Sequence, residues 1–385
     1  MTVSNKIKVG VVFGGRSAEH EVSLVSAASV MQALDREKYE VLPIGISPEG
    51  KWLSSNETLR LLKDKVPVDR YPEHIVVPDP TKQGLVSLNR SLTGPAVYRV
   101  DVLFPVLHGT FGEDGTIQGL FELANIPYVG SGVLGSAVGM DKVVQKQILQ
   151  QAKIPVAPGI WFTSKDFERK GKKLLALVGK KVGFPCFVKP ANLGSSIGIT
   201  KVHNKKELLP AIQLAAEYDL KILVERAVRS PREIECSVLG NDDPIASVPG
   251  EIIPSNEFYD YDAKYVDGKS SAVIPANLSK GVIKKIQDYS VRSFTALGCE
   301  GMARVDFLVS RNSATVVVSE VNTIPGFTSI SMYPKLWEAS GLPYPALCDR
   351  LIELALERKS DAGHCEHFFR PGCVFQHNRN IRSVA

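Results

Sequence analysis

Charged and amide side chains alternate with apolar ones in two stretches near the C-terminal end of the chain. Arg304 and Asp306 lie in GMARVDFLV, and Glu320 and Asn322 lie in TVVVSEVN. Successive side chains of a strand point to opposite faces, so each pair shares one face. With a turn at residues 311–313, the strands form a hairpin in which Arg304 is opposite Glu320 and Asp306 lies two positions along the same face. One face is therefore predicted to carry two carboxylates, an amide oxygen and a guanidinium.

This polar face has the groups that a magnesium-nucleotide site needs. Mg²⁺ binds through one or two carboxylates plus substrate phosphates, and a guanidinium can neutralise charge that develops during transfer. The alternative is an exposed hairpin face with a surface salt bridge, because strands with outward charges are common. The continuation favours the site. Asn322 leads into Pro325, Gly326 and a turn rich in Thr and Ser, whose backbone N–H groups could bind an anion.

Length and composition predict a soluble globular protein of two or three domains. The chain has 385 residues, a length that exceeds the usual size of one hydrophobic core. Its residues are 44% hydrophobic and 23% charged, as in soluble globular proteins. The net charge is +5, and the basic residues are scattered along the sequence, so the charge does not indicate a class of partner. No apolar run reaches the roughly 20 residues that span a bilayer. The N-terminus predicts a strand rather than a signal peptide, and six widely spaced cysteines indicate reduced thiols in the cytoplasm.

The N-terminal third predicts an α/β start with possible ligand contacts at strand ends. An apolar strand at residues 7–13 runs into a glycine turn and then a helical pattern that begins near Glu19. Glu19 is a candidate ligand contact or a helix-start carboxylate favoured by the helix dipole. A buried strand at 101–107 ends at His108, beside a glycine-rich acidic loop, and His108 is either a ligand group or a structural hydrogen bonder. Neither alternative is decided by these segments alone.

A glycine- and serine-rich loop follows a strand in the middle of the chain. The strand at 184–189 ends in Lys189, and the loop LGSSIGI contains Ser195 and Ser196. Such a loop can close over phosphates, although a plain Gly/Ser hairpin has the same composition. It is not a Walker A loop, since no GKS or GKT precedes a helix. Lys142, which opens a helix after Met-Asp, adds a second cation that could reach an anionic ligand.

Three further segments carry candidate groups or an unusual composition. A strand ending at Glu225 could read an adenine amino group through backbone and carboxylate acceptors, and the next strand alternates Glu233 and Glu235 with apolar residues. FYDYDAKY, residues 258–265, is predicted to be an ordered loop or a set of surface tyrosines. The tail from residue 361 is rich in His and Cys, but its spacing fits no standard zinc pattern, so a disordered or loosely docked extension is preferred.

Taken together, these motifs resemble the D-alanine:D-alanine ligases of the ATP-grasp superfamily. They occur in family order from residue 7 to about 358, which makes the resemblance specific. The segments that carry it are GGRSAEHEVSL, HGTFGEDG, MDK, FVKPANLGSSIGI, LVERAV, REIECSVLGN, FYDYDAKY, GMARVDF and EVNTIPGFTSISMYP.

The resemblance implies a mixed α/β chain: an ATP-grasp fold preceded by a Rossmann-like domain with a parallel sheet. The expected domains are 1–139, which contributes to substrate binding, 140–228, the central ATP-grasp subdomain, and 229–360, with the metal and substrate site. Residues 361–385 have no family counterpart. The family pattern also implies a homodimer, ATP, two Mg²⁺ or Mn²⁺ ions, and a role in peptidoglycan synthesis.

The same resemblance implies a role for each candidate residue. The metals are assigned to Asp306, Glu320 and Asn322. The nucleotide contacts are assigned to Lys142, Lys189, Ser195, Ser196, Glu225, the backbone of Arg226, Ala227 and Val228, Glu233, and Lys264. The substrate contacts are assigned to Glu19, His108, Arg304, Gly326, Ser331 and Met332. Glu19, Ser195 and Tyr265 are expected to form a hydrogen-bonded trio that closes the loop over the site.

The implied reaction joins two D-alanines through an acyl phosphate. The first carboxylate attacks the γ-phosphorus, the second amine attacks the resulting carbonyl, and Arg304 with the Gly326 N–H stabilises the oxyanion. Ligases that make D-alanyl-D-lactate depart from the family at the Tyr265 loop. Because this chain keeps DAKY there, the dipeptide is predicted.

Alternatives from other classes meet specific objections. Another ATP-grasp ligase, such as a carboxylase or an L-amino-acid ligase, would not need the FYDYDAKY loop with Glu19 and Ser331 at the two substrate ends. A nucleotide-binding regulator would be expected to have lost a metal ligand or Arg304. Nucleic-acid binding would need a basic stripe with stacking aromatics, which the sequence lacks.

Overall fold

The computed structural model describes residues 6–69, 71, 73–88, 97–253, 271–311 and 315–362. Its N-terminal part contains a mainly parallel sheet with strand order β3-β2-β1-β7, in which the edge strand β3 runs antiparallel to β2, and a separate antiparallel sheet of β4, β5 and β6. The elements in chain order are β1 (Ile7–Gly14), α1 (His20–Ala33), β2 (Tyr39–Ile46), β3 (Trp52–Leu53), α2 (Thr58–Lys63), β4 (His74–Val76), β5 (Gly84–Ser87), β6 (Val97–Arg99), β7 (Val102–Pro105) and α3 (Thr116–Leu123).

The middle of the chain forms an antiparallel sheet with strand order β10-β9-β11-β8. Two helices precede this sheet, and two more lie within its connections. The elements are α4 (Val133–Met140), α5 (Lys142–Gln151), β8 (Gly159–Thr163), α6 (Ser164–Lys181), β9 (Cys186–Pro190), β10 (Thr200–Val202), α7 (Lys205–Tyr218) and β11 (Lys221–Arg226).

The C-terminal part is built on a larger antiparallel sheet with strand order β15-β14-β12-β16-β17, and β13 pairs with β12. Its elements are β12 (Arg232–Gly240), β13 (Ile245–Ala246), β14 (Gly250–Ile253), β15 (Ser271–Val273), α8 (Lys280–Ala296), β16 (Gly301–Val309), β17 (Val316–Asn322), α9 (Met332–Ala339) and α10 (Tyr344–Ala362). No helix among the described residues is long and apolar enough to cross a membrane.

Helix α8 covers one face of the C-terminal sheet and leaves the other face for polar groups. Ile286 and Phe294 of α8 are buried in one cluster with Val305 and Phe307 of β16 and with Val318 of β17. This burial follows from the period of two along β16, because alternate side chains must point away from the core. The opposite face carries the charged residues that the sequence places at alternating positions.

The hairpin register differs from the prediction. Arg304 pairs with Asn322 and Asp306 with Glu320, whereas Arg304 was expected opposite Glu320. The connection is longer than the expected three-residue turn, since β17 begins at Val316, and this turns Val318 to the apolar face opposite Phe307. A register shift after Asp306 leaves Ser319 unpaired as a β-bulge, and the extra residue returns Glu320 to the polar face.

Several local features of the N-terminal half add to this topology. Helix α4 follows Tyr128, which forms an isolated bridge with Leu103. Leu24, Ala27 and Val30 form the buried side of α1, whereas Val25 of the same helix is 48% exposed. The 258–265 loop and the tail beyond residue 362 lie outside the described residues.

Candidate active site

A cleft lies between the middle sheet and the C-terminal sheet. It encloses about 990 Å³ when the open solvent at its mouth is counted. Each of the strands β9, β11, β12, β16 and β17 contributes side chains to it. The lining includes Phe187, Lys189, Ser196, Lys201, Glu225, Arg226, Val228, Glu233, Glu235, Asp306, Ser319 and Glu320.

One wall of the cleft is the polar face of the β16–β17 hairpin. Arg304 donates from Nε and from a terminal nitrogen to the two oxygens of Asp306, each at 2.7 Å, and its Nε lies 3.1 Å from the buried Glu235 carboxylate. The Asn322 amide donates to Asp306 at 3.0 Å. Although burial opposes the charge, the neighbouring carboxylates raise the pKa of Arg304. The carboxylates, amide and guanidinium predicted to share a face do so.

The carboxylate set fits a divalent cation that also binds phosphate. Among the described residues, no group of three or more His, Cys, Asp or Glu side chains is arranged to hold a metal ion by itself. Asp306 and Glu320 are cross-strand partners facing the cleft, and Asn322 adds an amide oxygen. Because Mg²⁺ commonly takes one or two carboxylates and completes its shell with phosphate and water, this smaller donor set suits it.

The opposite wall is centred on the buried carboxylate of Glu225. Glu225 forms ion pairs with Lys189 and, at 2.9 Å, with Lys146. Burial alone would raise the pKa of Glu225, but the two lysines outweigh it and lower the pKa to about 2. Burial lowers the pKa of Lys146, which the Glu225 carboxylate partly offsets.

Helix α5 carries two lysines toward the cleft. Asp141 caps its first turn by accepting from the N–H groups of Val143 and Val144, which fixes where Lys142 begins. Lys142 Nζ donates to Leu193 O at 2.8 Å and lies 3.3 Å from Glu320. Lys146 follows one helical turn later on the same face. The sequence prediction named Lys142 and missed Lys146, although the i, i+4 spacing was the signal that could have found it.

Residues missed by the sequence prediction also include two on the middle sheet. Lys201 and Phe187 are cross-strand partners on β10 and β9, and both line the cleft. The Phe187 ring lies 5.4 Å from Lys189 Nζ and 6.0 Å from Lys201 Nζ. A flat ring between two cations is a surface on which a planar, anionic ligand can rest.

The glycine- and serine-rich loop contacts the N-terminal part of the chain. Ser195 and Ser196 have φ values of 48° and 59°, a left-handed conformation that non-glycine residues seldom adopt. Ser195 Oγ donates to Glu19 Oε1. A Cβ on Gly194 would lie 2.8 Å from Glu19 Oε2, so a side chain there would push the loop away. The structure thus brings together two members of the expected trio, and Tyr265 and Lys264 lie outside the described residues.

Glu19 and His108 lie near each other at the ends of the parallel strands. Glu19 is 8% exposed, and no lysine or arginine of the described residues forms an ion pair with it. His108 is buried, with Nε2 3.0 Å from Ser26 Oγ and Nδ1 3.2 Å from Ile324 O and 3.4 Å from Glu113. Burial would lower the pKa of His108, but the Glu113 carboxylate raises it. These contacts give both ring nitrogens of His108 a partner and fix the orientation of the ring.

The segment after β17 presents backbone donors. Within the described residues, the Gly326 and Met332 N–H groups donate no hydrogen bond. Ser331 precedes α9, and its Oγ accepts from Thr328 N at 3.1 Å. Because the first N–H groups of a helix have no intrahelical acceptor, this turn can bind an anionic group.

The backbone after Glu225 is partly engaged already. Arg226 N donates to Pro158 O at 2.8 Å, and Ala227 N to Pro185 O at 3.1 Å. The Val228 N–H donates to no acceptor in the part of the chain that the structure describes. Val228 and Glu233 both line the cleft, so this end of the cleft retains a backbone donor and a carboxylate.

Comparisons with known proteins agree with this geometry. Family models of the D-Ala D-Ala ligase N-terminus and C-terminus match residues 8–131 and 148–353. The D-alanine–D-alanine ligase of Natranaerobius thermophilus is 50% identical over 356 residues, which cover 92% of this chain and 96% of the relative. That of Heliobacterium modesticaldum is 50% identical over 355 residues, covering 92% and 95%.

Solved structures give the same result. The D-alanine-D-alanine ligase from Coxiella burnetii has a TM-score of 0.80 and 39% identity, covering 93% of this chain and 96% of that one. The VanG D-Ala:D-Ser ligase from Enterococcus faecalis has a TM-score of 0.79 and 38% identity, covering 91% and 99%. The two antiparallel sheets around the cleft form the ATP-grasp fold of these enzymes. The chain belongs to the D-alanine–D-alanine ligase family.

Proposed function

We propose that this protein joins two D-alanines to D-alanyl-D-alanine with ATP, through an acyl phosphate, for peptidoglycan synthesis. The observation that carries the proposal is the cleft itself, with lysines on one wall facing Asp306 and Glu320 on the other. Transfer of a phosphoryl group requires cations that bind the phosphates and, across from them, carboxylates that bind a metal ion. The names of the relatives supply the substrate.

ATP is proposed to lie between the two sheets. Lys142 and Lys189 contact the phosphates, and Ser195 and Ser196 close over them. The adenine end is assigned to the backbone of Arg226, Ala227 and Val228, with Glu233 beside it and Glu225 holding the lysines in place. The Val228 N–H and the Phe187 ring support this assignment, because they offer a donor and an apolar surface at that end. Lys264 completes the proposed set.

The metal ions are assigned to Asp306, Glu320 and Asn322. Two Mg²⁺ or Mn²⁺ ions bound there would neutralise phosphate charge during the transfer. The protein residues fix this set in place. Arg304 holds both oxygens of Asp306 and so fixes the orientation of this carboxylate. Lys142 beside Glu320 links the metal wall to the phosphates.

The two substrate positions are assigned to groups from the N-terminal part of the chain and from the segment after β17. Glu19 binds the ammonium of the first D-alanine, and His108 lies near its carboxylate. Ser331 and the Met332 N–H hold the carboxylate of the second D-alanine. Arg304 and the Gly326 N–H stabilise the oxyanion when the second amine attacks. Tyr265 is assigned to the same group as Glu19 and Ser195, which would close the loop and exclude water from the acyl phosphate.

The organisation of the whole protein is also a proposal. We infer domains at residues 1–139, 140–228 and 229–360, each built around one of the main sheets, with 361–385 as an extension. A homodimer and a cytoplasmic location are inferred as well. The buried free thiols at Cys186, Cys236, Cys299 and Cys348 support a reducing compartment.

Product identification tests the proposed function. The protein is incubated with ATP, Mg²⁺ and D-alanine, and in parallel with added D-serine or D-lactate, because one structural relative is a D-Ala:D-Ser ligase. We expect D-alanyl-D-alanine by mass in all mixtures and loss of at least about 100-fold in kcat for Glu320→Ala. Glu338→Ala, an exposed carboxylate on α9, is the control. A mixed product formed in preference to D-alanyl-D-alanine would reject the substrate assignment.

A further inference from the structure

Two lysines share the Glu225 carboxylate, but only one of them lines the cleft. Lys189 is on β9, within the described lining of the cleft, and its Nζ lies over the Phe187 ring. Lys146 approaches Glu225 from α5, on the other side, at 2.9 Å. Among the described cleft residues Lys189 is present and Lys146 is not. Both lysines therefore contact the same carboxylate, but only Lys189 is accessible to a ligand in the cleft.

Lys146 is fixed in position by a second contact. Its Nζ donates to Ser319 O at 2.8 Å, the carbonyl of the bulged residue of β17, and the residue is 6% exposed. Reaching into the cleft would break this hydrogen bond and leave Glu225 with one partner. The Lys189 side chain is 12% exposed and lines the cleft, so it can turn toward an anionic ligand while Lys146 stays in place.

We infer that Lys146 is a positioning residue for the nucleotide: it keeps Glu225 paired so that Lys189 can leave that carboxylate and bind phosphate. The inference rests on the proposed function, because it assumes a nucleotide in this cleft. The three side chains together carry one net positive charge. Lys146 neutralises Glu225, and the charge of Lys189 remains for the ligand.

Loss of Lys146 would change this balance. In Lys146→Met, Glu225 and Lys189 form a buried pair with no net charge, and a phosphate would have to compete with Glu225 for Lys189. Separating a buried ion pair without a replacement partner is costly. Removing the Glu225 charge as well, in Lys146→Met/Glu225→Gln, frees Lys189 again. The double variant should therefore bind nucleotide better than the single variant.

Calorimetric titration with ADP and Mg²⁺ measures this directly, without turnover. We expect Lys146→Met to weaken ADP binding by at least about tenfold, equivalent to about 1.4 kcal/mol. Lys146→Arg should retain binding within about threefold, because it keeps the charge. The double variant should recover most of the lost affinity, which a purely structural role for the Ser319 contact would not produce.

Lys51 offers a matched control outside the cleft. Like Lys146, it donates to a backbone carbonyl, Asp69 O at 3.1 Å, and forms an ion pair with a glutamate, Glu73 at 3.2 Å. Lys51→Met should leave ADP affinity unchanged. Thermal unfolding of each variant verifies that the titrated protein is folded. If the single variant Lys146→Met does not fold, the ADP affinity of Glu225→Gln is compared with that of the double variant instead. We expect these two variants to bind ADP with equal affinity.

The outcomes separate this inference from the proposed function. Wild-type protein that binds no ADP would reject the nucleotide site itself. Wild-type binding with unchanged affinity in Lys146→Met, or a double variant no tighter than the single one, would overturn the role of Lys146 alone. In steady-state assays, Lys146→Met should raise the KM for ATP by at least about tenfold and the KM for D-alanine by less than about twofold.

Discussion

At the scale of single residues, opposite charges determine how the carboxylates of the cleft behave. Glu225 lies between two lysines, whereas Asp306 is bound by both arms of one guanidinium. The first arrangement leaves a positive charge at the cleft, and the second holds a carboxylate in a fixed orientation. Both arrangements suit a phosphate with a bound metal ion, since the phosphate can contact the lysine wall and the metal ion can contact the carboxylate wall.

The lowered pKa of Glu225 predicts a pH dependence of stability. The pKa of Glu225 in the folded protein is about 2, whereas its ordinary value is 4.5. A carboxyl group whose pKa is lower in the folded protein stabilises the fold fully at pH values above its unfolded-state pKa. This contribution of Glu225 declines as the pH falls from about 4.5 toward 2. Between pH 5 and 3, the free energy of unfolding measured with urea should therefore fall more steeply for wild-type protein than for Glu225→Gln. Parallel pH profiles of the two proteins would contradict the assignment.

Glu19 is predicted to bind the ammonium of the first substrate through its charge. Glu19→Gln keeps the size of the side chain and an acceptor for Ser195 but removes the charge, so the KM for D-alanine at the first position should rise about 10- to 100-fold. Steady-state kinetics at saturating ATP measure this. Glu21→Gln is the control, since Glu21 lies in the first turn of α1, directly after Glu19 and His20, and is exposed beside Lys65. Equal KM values for Glu19→Gln and wild type would remove Glu19 from the substrate site.

At the scale of elements, the β16–β17 hairpin brings the metal ligands together only because of its bulge. Val316 and Val318 face the core, and Glu320 and Asn322, at the same parity in the sequence, face the cleft. The unpaired Ser319 accounts for this change of face. Contacts from α5 then hold the bulged segment, through Lys146 on Ser319 O and Gln145 on Val321.

Gln145 is predicted to be a major support of this segment. It is fully buried, donates to Gly139 O at 2.7 Å and Val321 O at 3.0 Å, and accepts from Val321 N at 3.1 Å. Gln145→Leu would leave these buried backbone groups unsatisfied, and we expect the free energy of unfolding to fall by about 2–5 kcal/mol. Urea denaturation measures the change. Gln150→Leu, exposed on the same helix, should change stability by less than about 0.5 kcal/mol.

The hairpin also shows what the sequence could and could not predict. Alternation placed Arg304 and Asp306 on one face, and the structure agrees, because parity within β16 depends only on the strand itself. The cross-strand register was wrong, since it depends on the length of the connection and on the bulge at Ser319, and neither has a sequence signal here. Lys146 was missed although its i, i+4 spacing from Lys142 places both side chains on one face of α5. Its role depends on Glu225, which is distant in sequence and adjacent only in the fold.

At the scale of the whole molecule, the site combines groups from all three main sheets. The loop that contains Ser195 connects β9 and β10 of the middle sheet, Glu19 follows the first strand of the N-terminal sheet, and Asp306 lies on the C-terminal sheet. Ion pairs and hydrogen bonds already connect these parts across the cleft, as in Lys142 with Glu320 and Ser195 with Glu19. A reaction that needs a nucleotide and two further substrates can be enclosed by such an arrangement.

The fate of the carboxylate oxygen of D-alanine tests the central claim most directly. We would supply D-alanine labelled with ¹⁸O in its carboxylate, together with ATP and Mg²⁺, and analyse the released phosphate by mass. If the carboxylate attacks the γ-phosphorus, each turnover that forms the peptide bond transfers one labelled oxygen to phosphate. We predict this transfer in wild-type protein and its loss in Glu320→Ala. Phosphate released during dipeptide formation without ¹⁸O would contradict the proposed acyl phosphate.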